Sequence, residues 1–271
     1  MILVLFALGK MEFWMLYVAA VLNGIGNTFQ WPAYSAAIST MVPKEQYGRA
    51  NGLMSLMDAG PGVIAPLLAG ALLPVVQIIG LLIFDVVTFF FAIAALLIVH
   101  IPQPPRTVEG EQARGNMLRE AWFGFKYIFD RPSLLGLQLL FFVGNLFSGI
   151  TFTLLAPMIL ARTENNSVIF GSVQTAGAIG GVAGGILMSA WGGFKRRVNG
   201  VLLGWLFSNL LFGVLLGVGR GLSMWIPAMV FGSICAALIN TSNHAIWQSK
   251  VAPDLQGRVF SARRLIAWFT N

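Results

Sequence analysis

The chain has 271 residues, of which only 10% are charged, and its mean hydropathy is +0.78. An ordinary soluble domain carries roughly 25% charged residues, so a water-soluble fold is excluded. The net charge of +7 would suggest a nucleic-acid partner in a soluble protein. Here the cations lie in short loops between apolar segments, which favours a topological signal and contact with anionic lipid, and we expect no nucleic acid. Cys235 is the single cysteine, which excludes an intrachain disulfide or a cysteine metal cluster.

Apolar segments long enough to cross a bilayer follow one another along the first hundred residues. Residues 1–9 are too short to span and are predicted to be the second half of a helix. Complete spans are predicted at about 13–34, 51–73 and 77–100, the last two joined by a tight turn around Pro74. Residues 1–100 are therefore predicted to form the remainder of an N-terminal helical bundle.

A more polar linker at 101–132 follows this bundle. It opens with several prolines, which discourage helix, and then contains an amphipathic stretch. That stretch suits the membrane interface, and packing on the protein's own inner surface is the alternative. Its apolar face comprises Leu118, Ala121, Trp122, Phe125, Ile128 and Phe129.

Residues 133–271 are predicted to form a C-terminal helical bundle. A last apolar segment begins near Ala262, shortly before the chain ends, and we predict that the fold is truncated at both ends. The complete spans of this bundle are expected at about 134–160, 168–190, 198–218 and 223–246.

A short basic turn between two of these spans predicts the orientation of the chain. Lys195, Arg196 and Arg197 follow Gly192 and Gly193 after a single phenylalanine. Three cations in a tight turn mark the cytoplasmic side, and the glycines let the chain reverse direction there. If successive loops lie strictly on alternate sides of the membrane, only three cations fall on the opposite side, namely Lys10, Arg162 and Arg220.

The two groups of spans share an internal repeat. The segment 43–50 reappears as 253–259, with one residue of slippage. In each copy a proline precedes a Gly-Arg pair, Gly48-Arg49 in the first and Gly257-Arg258 in the second. Two parallel halves joined by a longer linker are typical of secondary transporters.

These motifs resemble those of the major facilitator superfamily, and more narrowly its drug-efflux branch, which includes macrolide and siderophore exporters. The resemblance rests on the segments 43–53, 120–134, 192–196 and 257–261. It implies an all-α membrane protein with the two-bundle fold of that superfamily, running here from late helix 3 to early helix 11. The loops that it implies as gates contain Gly48, Arg49, Gly192, Gly193, Lys195, Arg196, Arg197, Gly257 and Arg258.

Two of the motifs depart from the pattern of that family. The loop signature usually carries an Asp that pairs with an Arg and latches the cytoplasmic side, but Phe194 and Lys195 stand where the acid is expected. The segment 65–70 resembles the glycine-proline motif of exporters, with Ala65 and Ala69 in place of glycines. Because this match is partial, an uptake permease of the same fold stays an alternative.

Three helices carry polar faces that suit a substrate cavity. Polar groups facing lipid are costly, so these faces should point at other helices or at a water-filled cavity. A mixture of amides and aromatics suits a lipophilic substrate with a few polar groups, and hydrogen bonding between helices is the alternative. The resemblance places the faces on helices 4, 7 and 10. The candidates are Asn23, Asn27, Gln30 and Tyr34, then Gln138, Asn145, Ser148 and Phe152, then Asn240 and Asn243, with Trp247 continuing the last face.

Asp58 and Asp85 are the only acids inside the predicted spans. A charge at the bilayer centre costs roughly 2.5–3.5 kcal/mol on insertion scales, so each acid needs a reason to be there. Coupling to a proton or other cation gradient is the functional hypothesis. The alternative is that each acid lies near water or beside a partner amide.

His244 is most simply interpreted as a hydrogen-bonded helix residue.

The stretch 177–185 contains overlapping small-residue spacings of the GxxxG type. Such spacings allow helices to pack closely in a membrane. A dinucleotide-binding loop would need a preceding strand and a soluble helix after it, and neither is predicted here. Close helix packing is therefore expected.

The motifs predict transport and no covalent chemistry. A phosphate-binding loop and a nucleophile–base pair are both lacking in the sequence, so we expect neither an enzyme nor a cofactor or metal. We expect a monomeric, multi-pass protein of the cell membrane that exports small lipophilic compounds by alternating access, driven by an ion gradient. The alternatives are an uptake permease, a non-transporting scaffold or sensor, and a truncated product that does not transport by itself.

Overall fold

The computed structural model describes residues 12–98, 107–108 and 116–268. Every regular element in these residues is helical, which confirms the predicted all-α class. Within the helices, the side chains left out of the description are those of 27–29, 31, 66, 67, 69–71, 73, 74, 117, 118 and 268.

Eight helices follow one another along the described chain. A short 3₁₀ turn, Lys44–Gln46, joins the first two. Each of the four spans predicted for the second bundle lies within one helix. The helices are α1 (Phe13–Met41), α2 (Tyr47–Ile98), α3 (Met117–Phe129), α4 (Pro132–Arg162), α5 (Ser167–Trp191), α6 (Arg197–Val218), α7 (Leu222–Lys250) and α8 (Gln256–Trp268).

α2 contains both of the spans that the sequence separates by a turn around Pro74. The break lies instead at Gln77, whose φ of 57° and ψ of −177° are outside the helical region. A proline ring holds φ near −65°, so a positive φ has to fall on another residue. α2 is therefore two helices joined by a kink, and the kink follows the proline by a few residues.

Local sequence signals explain where α5 begins and ends. The side chain of Asn166 accepts hydrogen bonds from the N–H groups of Val168 at 3.0 Å and Ile169 at 3.2 Å. At the other end Gly192 has a φ of 81°, and its N–H donates to the carbonyl of Met188 at 2.8 Å. Both caps satisfy backbone groups that a helix end leaves unpaired, and glycine adopts the left-handed conformation without a Cβ clash.

Five described helical segments are long and apolar enough to cross a membrane, judged by length and composition. Many of their large side chains face outward, and Ile98 at the end of α2 is 83% exposed. Soluble proteins rarely expose so much apolar surface, whereas a bilayer covers it. The protein is therefore a multi-pass membrane protein. The segments are Val75–Ile98, Pro132–Arg162, Ser167–Trp191, Arg197–Val218 and Leu222–Lys250.

α5 packs against both α2 and α7 through neighbouring glycines. A Cβ on Gly184 would lie 2.8 Å from the Cβ of Ala237 on α7. A Cβ on Gly185 would lie 2.7 Å from the Cα of Leu56 on α2. The glycine pair one turn earlier repeats this division between the two partners. Close packing is confirmed, and each small-residue spacing serves a different helix.

α3, the amphipathic helix of the linker, packs on the protein itself. Tyr127 and Ile128 are buried in a core cluster with residues of α8. A salt bridge of 3.0 Å joins Glu120 of α3 to Arg258 of α8. The predicted apolar face is divided, however, because Trp122 is 70% exposed. Part of that face therefore packs on the protein and part faces outward.

The internal repeat corresponds to one shared turn. The N–H of Gln46 donates to the carbonyl of Pro43 at 2.9 Å, and the N–H of Gln256 donates to the carbonyl of Pro253 at 3.4 Å. A helix begins directly after the first turn and within the second, namely α2 and α8. The division into domains at 1–100, 101–132 and 133–271 stays a prediction.

Candidate functional site

The turn between α1 and α2 and the turn between α5 and α6 meet at one end of the molecule, which we call the basic end. The guanidinium of Arg197 donates to the carbonyl of Gly192 in its own turn and to the carbonyl of Glu45, at 3.4 Å, in the other. Gly48 lies against the carbonyl of Gly192 with no room for a Cβ, and the side chain of Arg49 passes beside it. The two turns are thus held by a cation on backbone oxygens.

The other residues predicted to gate this end do not take part in the contact between the two turns. Lys195 and Arg196 are exposed, and Gly193 continues the bend with a φ of 81°. Gly257 is exposed near the start of α8, and Arg258 is engaged in the salt bridge to α3. The predicted gate therefore bridges the two turns only in part.

Five buried, neutral side chains connect four helices at the basic end, and we call them the amide network. Asn51 Nδ2 on α2 donates to Oε1 of Gln248 on α7 at 2.7 Å. Gln248 Nε2 donates in turn to the carbonyl and hydroxyl oxygens of Ser35 on α1, both at 3.3 Å. Ser39 Oγ on α1 donates to Oε1 of Gln256 on α8 at 2.6 Å. None of the five is more than 8% exposed.

The amide network joins α1 and α2 to α7 and α8 with its polar groups satisfied. Gln256 Nε2 also donates to the backbone carbonyls of Gln248 and Val251, at 3.2 and 3.0 Å. The Tyr47 hydroxyl donates to the carbonyl of Ser39 at 3.1 Å, and burial raises its pKa, so it remains a donor. Leaving a buried partner unsatisfied costs about 1–3 kcal/mol, more than the ~0.5–1.5 kcal/mol that a formed bond contributes. The amide network therefore holds the four helices together at the basic end.

A cavity of about 480 Å³ lies between α2 on one side and α5 and α7 on the other. Asn51 belongs both to its wall and to the amide network, so the network borders the cavity at the basic end. The wall mixes small apolar residues with hydroxyl, amide and titratable side chains. The lining residues are Asn51, Met54, Ser55, Asp58, Ala59, Gly181, Ser233, Ala236, Ala237, Asn240 and His244.

A second cavity, of about 240 Å³, adjoins the first and lies between α4, α6 and α7. α6 contributes two residues from its π-helical segment Ser208–Gly213, a rare geometry that is frequent at functional sites. Aromatic rings form much of the wall, with Phe141 edge-on to Trp205 at 6.1 Å between centroids. The polar lining residues are Asn145, Ser148, Ser208, Ser233 and Asn240, of which Ser233 and Asn240 also line the larger cavity.

The structure brings together part of the predicted cavity faces on α4 and α7. Gln138 lies apart from them and donates to the carbonyl of Arg263 at 3.3 Å. Asn243 is 2% exposed and lines neither cavity, and among the described residues its Oδ1 has no hydrogen-bond partner. The predicted residues that line a cavity are Asn145, Ser148, Phe152 and Asn240.

The described side chains of the predicted α1 face line neither cavity. Asn23, Gln30 and Tyr34 are exposed, and the side chain of Asn27 lies outside the described residues. α1 contacts α7 and α8 through Ser35 and, one turn later, Ser39. Both residues belong to the amide network. Adjacent helix residues point about 100° apart, so the contacting face is turned well away from Tyr34. A substrate-binding role for the α1 face stays a prediction.

The two acids predicted as coupling candidates differ in position. Both carboxylates are exposed, but Asp58 lines the larger cavity and Asp85 does not. Across that cavity from α2, His244 lines the wall from α7, and its Nδ1 lies 3.3 Å from Nη1 of Arg263. The structure therefore places one of the two acids, together with a histidine, between the two groups of helices.

Sequence reasoning missed the amide network. The signal that could have found Gln256 is the repeat, because Gln46 and Gln256 follow their prolines at the same offset. Gln46 is exposed and Gln256 is buried, so the repeat by itself does not distinguish a solvated amide from a bridging one. Gln248 carries no comparable signal.

A helical membrane bundle with a partly polar cavity among its spans is an architecture that membrane transporters share. Within the described residues, no cluster of three or more His, Cys, Asp or Glu side chains could hold a metal ion. The sequence profile of the Major Facilitator Superfamily matches residues 1–269, and the chain belongs to this family of transporters. No match to the chain was found among curated proteins or among solved structures.

Proposed function

We propose that the protein is a secondary active exporter of small lipophilic compounds that works by alternating access. The observation that carries the proposal is the cavity between α2 on one side and α5 and α7 on the other, which adjoins the smaller cavity and meets the amide network at the basic end. Alternating access requires a central site with an opening that can close on one side. Membership in a transporter family supports the same mechanism.

The basic end is proposed to face the cytoplasm of the cell in whose membrane the protein lies. The cations of its two turns, Lys44, Lys195 and Arg196, are exposed there, as expected for loops that stay on the cytoplasmic side. The described conformation is then the one closed to the cytoplasm. Loading from that side requires the amide network to separate.

The cavity walls support a lipophilic substrate of the drug or siderophore-export type with a few polar groups. The smaller cavity offers the rings of Phe141, Phe152 and Trp205, and the larger one offers Asn240 and hydroxyl groups. Ligand pockets typically measure about 300–1,000 Å³ and combine apolar walls with a few polar contacts. One substrate could occupy both cavities across their shared wall.

A proton or other cation gradient is the proposed energy source, and Asp58 is the better placed of the two acids. A carboxylate in a cavity that opens alternately to the two sides can bind an ion on one side and release it on the other. Asp85 is not part of the lining of that cavity. The proposed transporter acts as a monomer.

Transport of the lipophilic dye Nile red by inverted membrane vesicles tests the proposal. The vesicles carry the whole gene product that contains these 271 residues, and a pH gradient is imposed across them. We expect gradient-dependent movement of the dye into the lumen. Movement in the opposite direction would support the uptake permease, and no movement would support the scaffold or the inactive product.

Asn240→Leu and Asn199→Leu form the matched pair of variants for this assay. Asn240 lines both cavities, whereas Asn199 is exposed on α6 and lines neither. Losing one substrate hydrogen bond should slow transport by Asn240→Leu about tenfold, which corresponds to ~1.4 kcal/mol. Asn199→Leu should transport at the parent rate. Equal rates for the two variants would contradict the assignment of the cavities.

A further inference from the structure

The linker helix α3 carries an exposed groove that lies apart from both cavities. The groove measures about 730 Å³ and combines three cations with three aromatic rings and one acid. Its residues are Arg119, Lys126 and Arg131, then Trp122, Phe123 and Tyr127, with Asp130 at one end.

The exposed residues of the groove continue along α3 as a stripe that also includes Phe129, next to the groove. Arg119, Trp122, Lys126 and Phe129 recur at intervals of three and four residues, so they share one helix face. Trp122 and Phe129 are 70% and 60% exposed, and the two cations, which alternate with these rings along the stripe, are exposed as well. The opposite face of α3, with Ile128, is buried against the rest of the protein. The stripe therefore faces away from the protein.

The position of α3 along the chain places this stripe at the membrane surface. α4 begins at Pro132, directly after the groove, and is one of the membrane-spanning segments. The guanidinium of Arg131 lies 3.5 Å from the centre of the Tyr127 ring, just before that span begins. Tryptophan and cations are enriched at the headgroup level of bilayers, where a ring meets the acyl boundary and a cation meets phosphate.

We propose that this groove binds an anionic phospholipid from the leaflet at the basic end. Arg119 and Lys126 contact the phosphate, and the exposed rings of Trp122 and Phe129 pack on the first part of the acyl chains. The charge complementarity is specific, since three cations face one acid in the groove. A soluble phosphate ester would use the cations and leave the two exposed rings without a partner.

Lipid retention by the purified protein tests this site. The protein is mixed in a neutral detergent with dioleoyl phosphatidylglycerol, with dioleoyl phosphatidylcholine, or with glycerol 3-phosphate, and bound lipid is counted by native mass spectrometry. We expect phosphatidylglycerol to be retained in preference to the other two. Arg119→Gln combined with Lys126→Gln should weaken its retention about tenfold or more, because each cation near an anionic surface contributes appreciably.

The control removes two exposed cations at the same end of the molecule, as Lys195→Gln with Arg196→Gln. This variant should retain phosphatidylglycerol as the parent does. Trp122→Ala should weaken retention severalfold, whereas Trp14→Ala, at another exposed tryptophan, should not. Equal retention by the two charge variants overturns the proposal. Equal competition by glycerol 3-phosphate, or no effect of Trp122→Ala, overturns the lipid as the occupant.

Discussion

At the residue scale, the proposed closure of the basic end rests on neutral side chains, where the family pattern has an acidic latch. Phe194 stands near the position where the family pattern has its acid. Its ring packs edge-on against the ring of Trp191, with centroids 4.8 Å apart. Arg197 donates to backbone carbonyls instead of to a carboxylate. Asn51 and Gln248, which are neutral and buried, share one of the hydrogen bonds between the helix groups. Salt screens exposed charges far more than buried amides, so this closure should depend little on ionic strength.

Asn51→Leu should favour opening of the basic end. The substitution removes the donor to Gln248 and leaves a buried amide oxygen unsatisfied, at a cost of about 1–3 kcal/mol. The opening equilibrium should rise about tenfold or more. The measurement is the rate at which a maleimide labels Ser55→Cys in the larger cavity, in a background carrying Cys235→Ala.

Gln46→Leu is the matched control for this variant. Gln46 holds the same place in the repeat as Gln256 but is exposed, so its loss should leave the labelling rate unchanged. If Asn51→Leu is labelled no faster than the parent, the amide network does not hold the basic end closed.

At the element scale, α5 determines how closely the two groups of helices approach. Its successive glycines face α7 and α2 in turn, so one helix packs at backbone distance against a partner in each group. Without a hydrophobic driving force inside the bilayer, such close packing is a main source of helix association. A larger residue in place of a glycine that faces α7 would therefore separate α5 from α7. One in place of a glycine that faces α2 would separate α5 from α2.

Gly185→Ala should destabilise the contact between α5 and α2. The added Cβ would lie 2.7 Å from the Cα of Leu56, and a backbone atom cannot move aside as a flexible side chain can. Overpacking of this kind typically costs about 1–3 kcal/mol. The midpoint of thermal unfolding in detergent should fall accordingly.

Gly171→Ala, on the same helix, is the comparison. Nothing lies within 4 Å of a Cβ added there. Alanine is better than glycine in a helix by about 0.8–1 kcal/mol, so this variant should be as stable as the parent or more stable. A lower midpoint for Gly171→Ala than for Gly185→Ala would show that interhelical space does not explain the result.

At the scale of the whole molecule, loop charges predict which end faces the cytoplasm. The turn with Lys195 and the turn with Lys44 meet at the basic end, and the loop with Glu164 follows α4, at the other end of the span that leads away from α3. Cations in short loops favour retention on the cytoplasmic side. The amide network and the cavities then have a defined order across the bilayer.

Cysteine labelling should report opposite sides for these loops. Lys195→Cys and Glu164→Cys replace exposed residues, each in a background carrying Cys235→Ala. In intact cells an impermeant maleimide should label Glu164→Cys and spare Lys195→Cys, and inverted vesicles should show the reverse. Labelling of both positions from one side would refute the proposed orientation.

Much of the fold could be predicted from local sequence. The spans at 134–160, 168–190 and 198–218 lie within α4, α5 and α6, because bilayer thickness imposes a length and apolar composition that short windows reveal. The close packing of the glycines followed from residue size. The position of the kink did not follow, because Pro74 carries the visible signal while Gln77 carries the unusual dihedral.

The sequence by itself determined a multi-pass helical membrane protein, and it predicts two related groups of spans. Only the tertiary structure decided which polar residues meet. Asn51 and Gln248 are 197 residues apart and share a hydrogen bond, whereas Gln138 and Asn243 turn away from the cavities that their neighbours line. The physical reason is that composition decides whether a helix enters the bilayer, while its rotation about its own axis depends on the shapes of its partners, which lie far away in the chain.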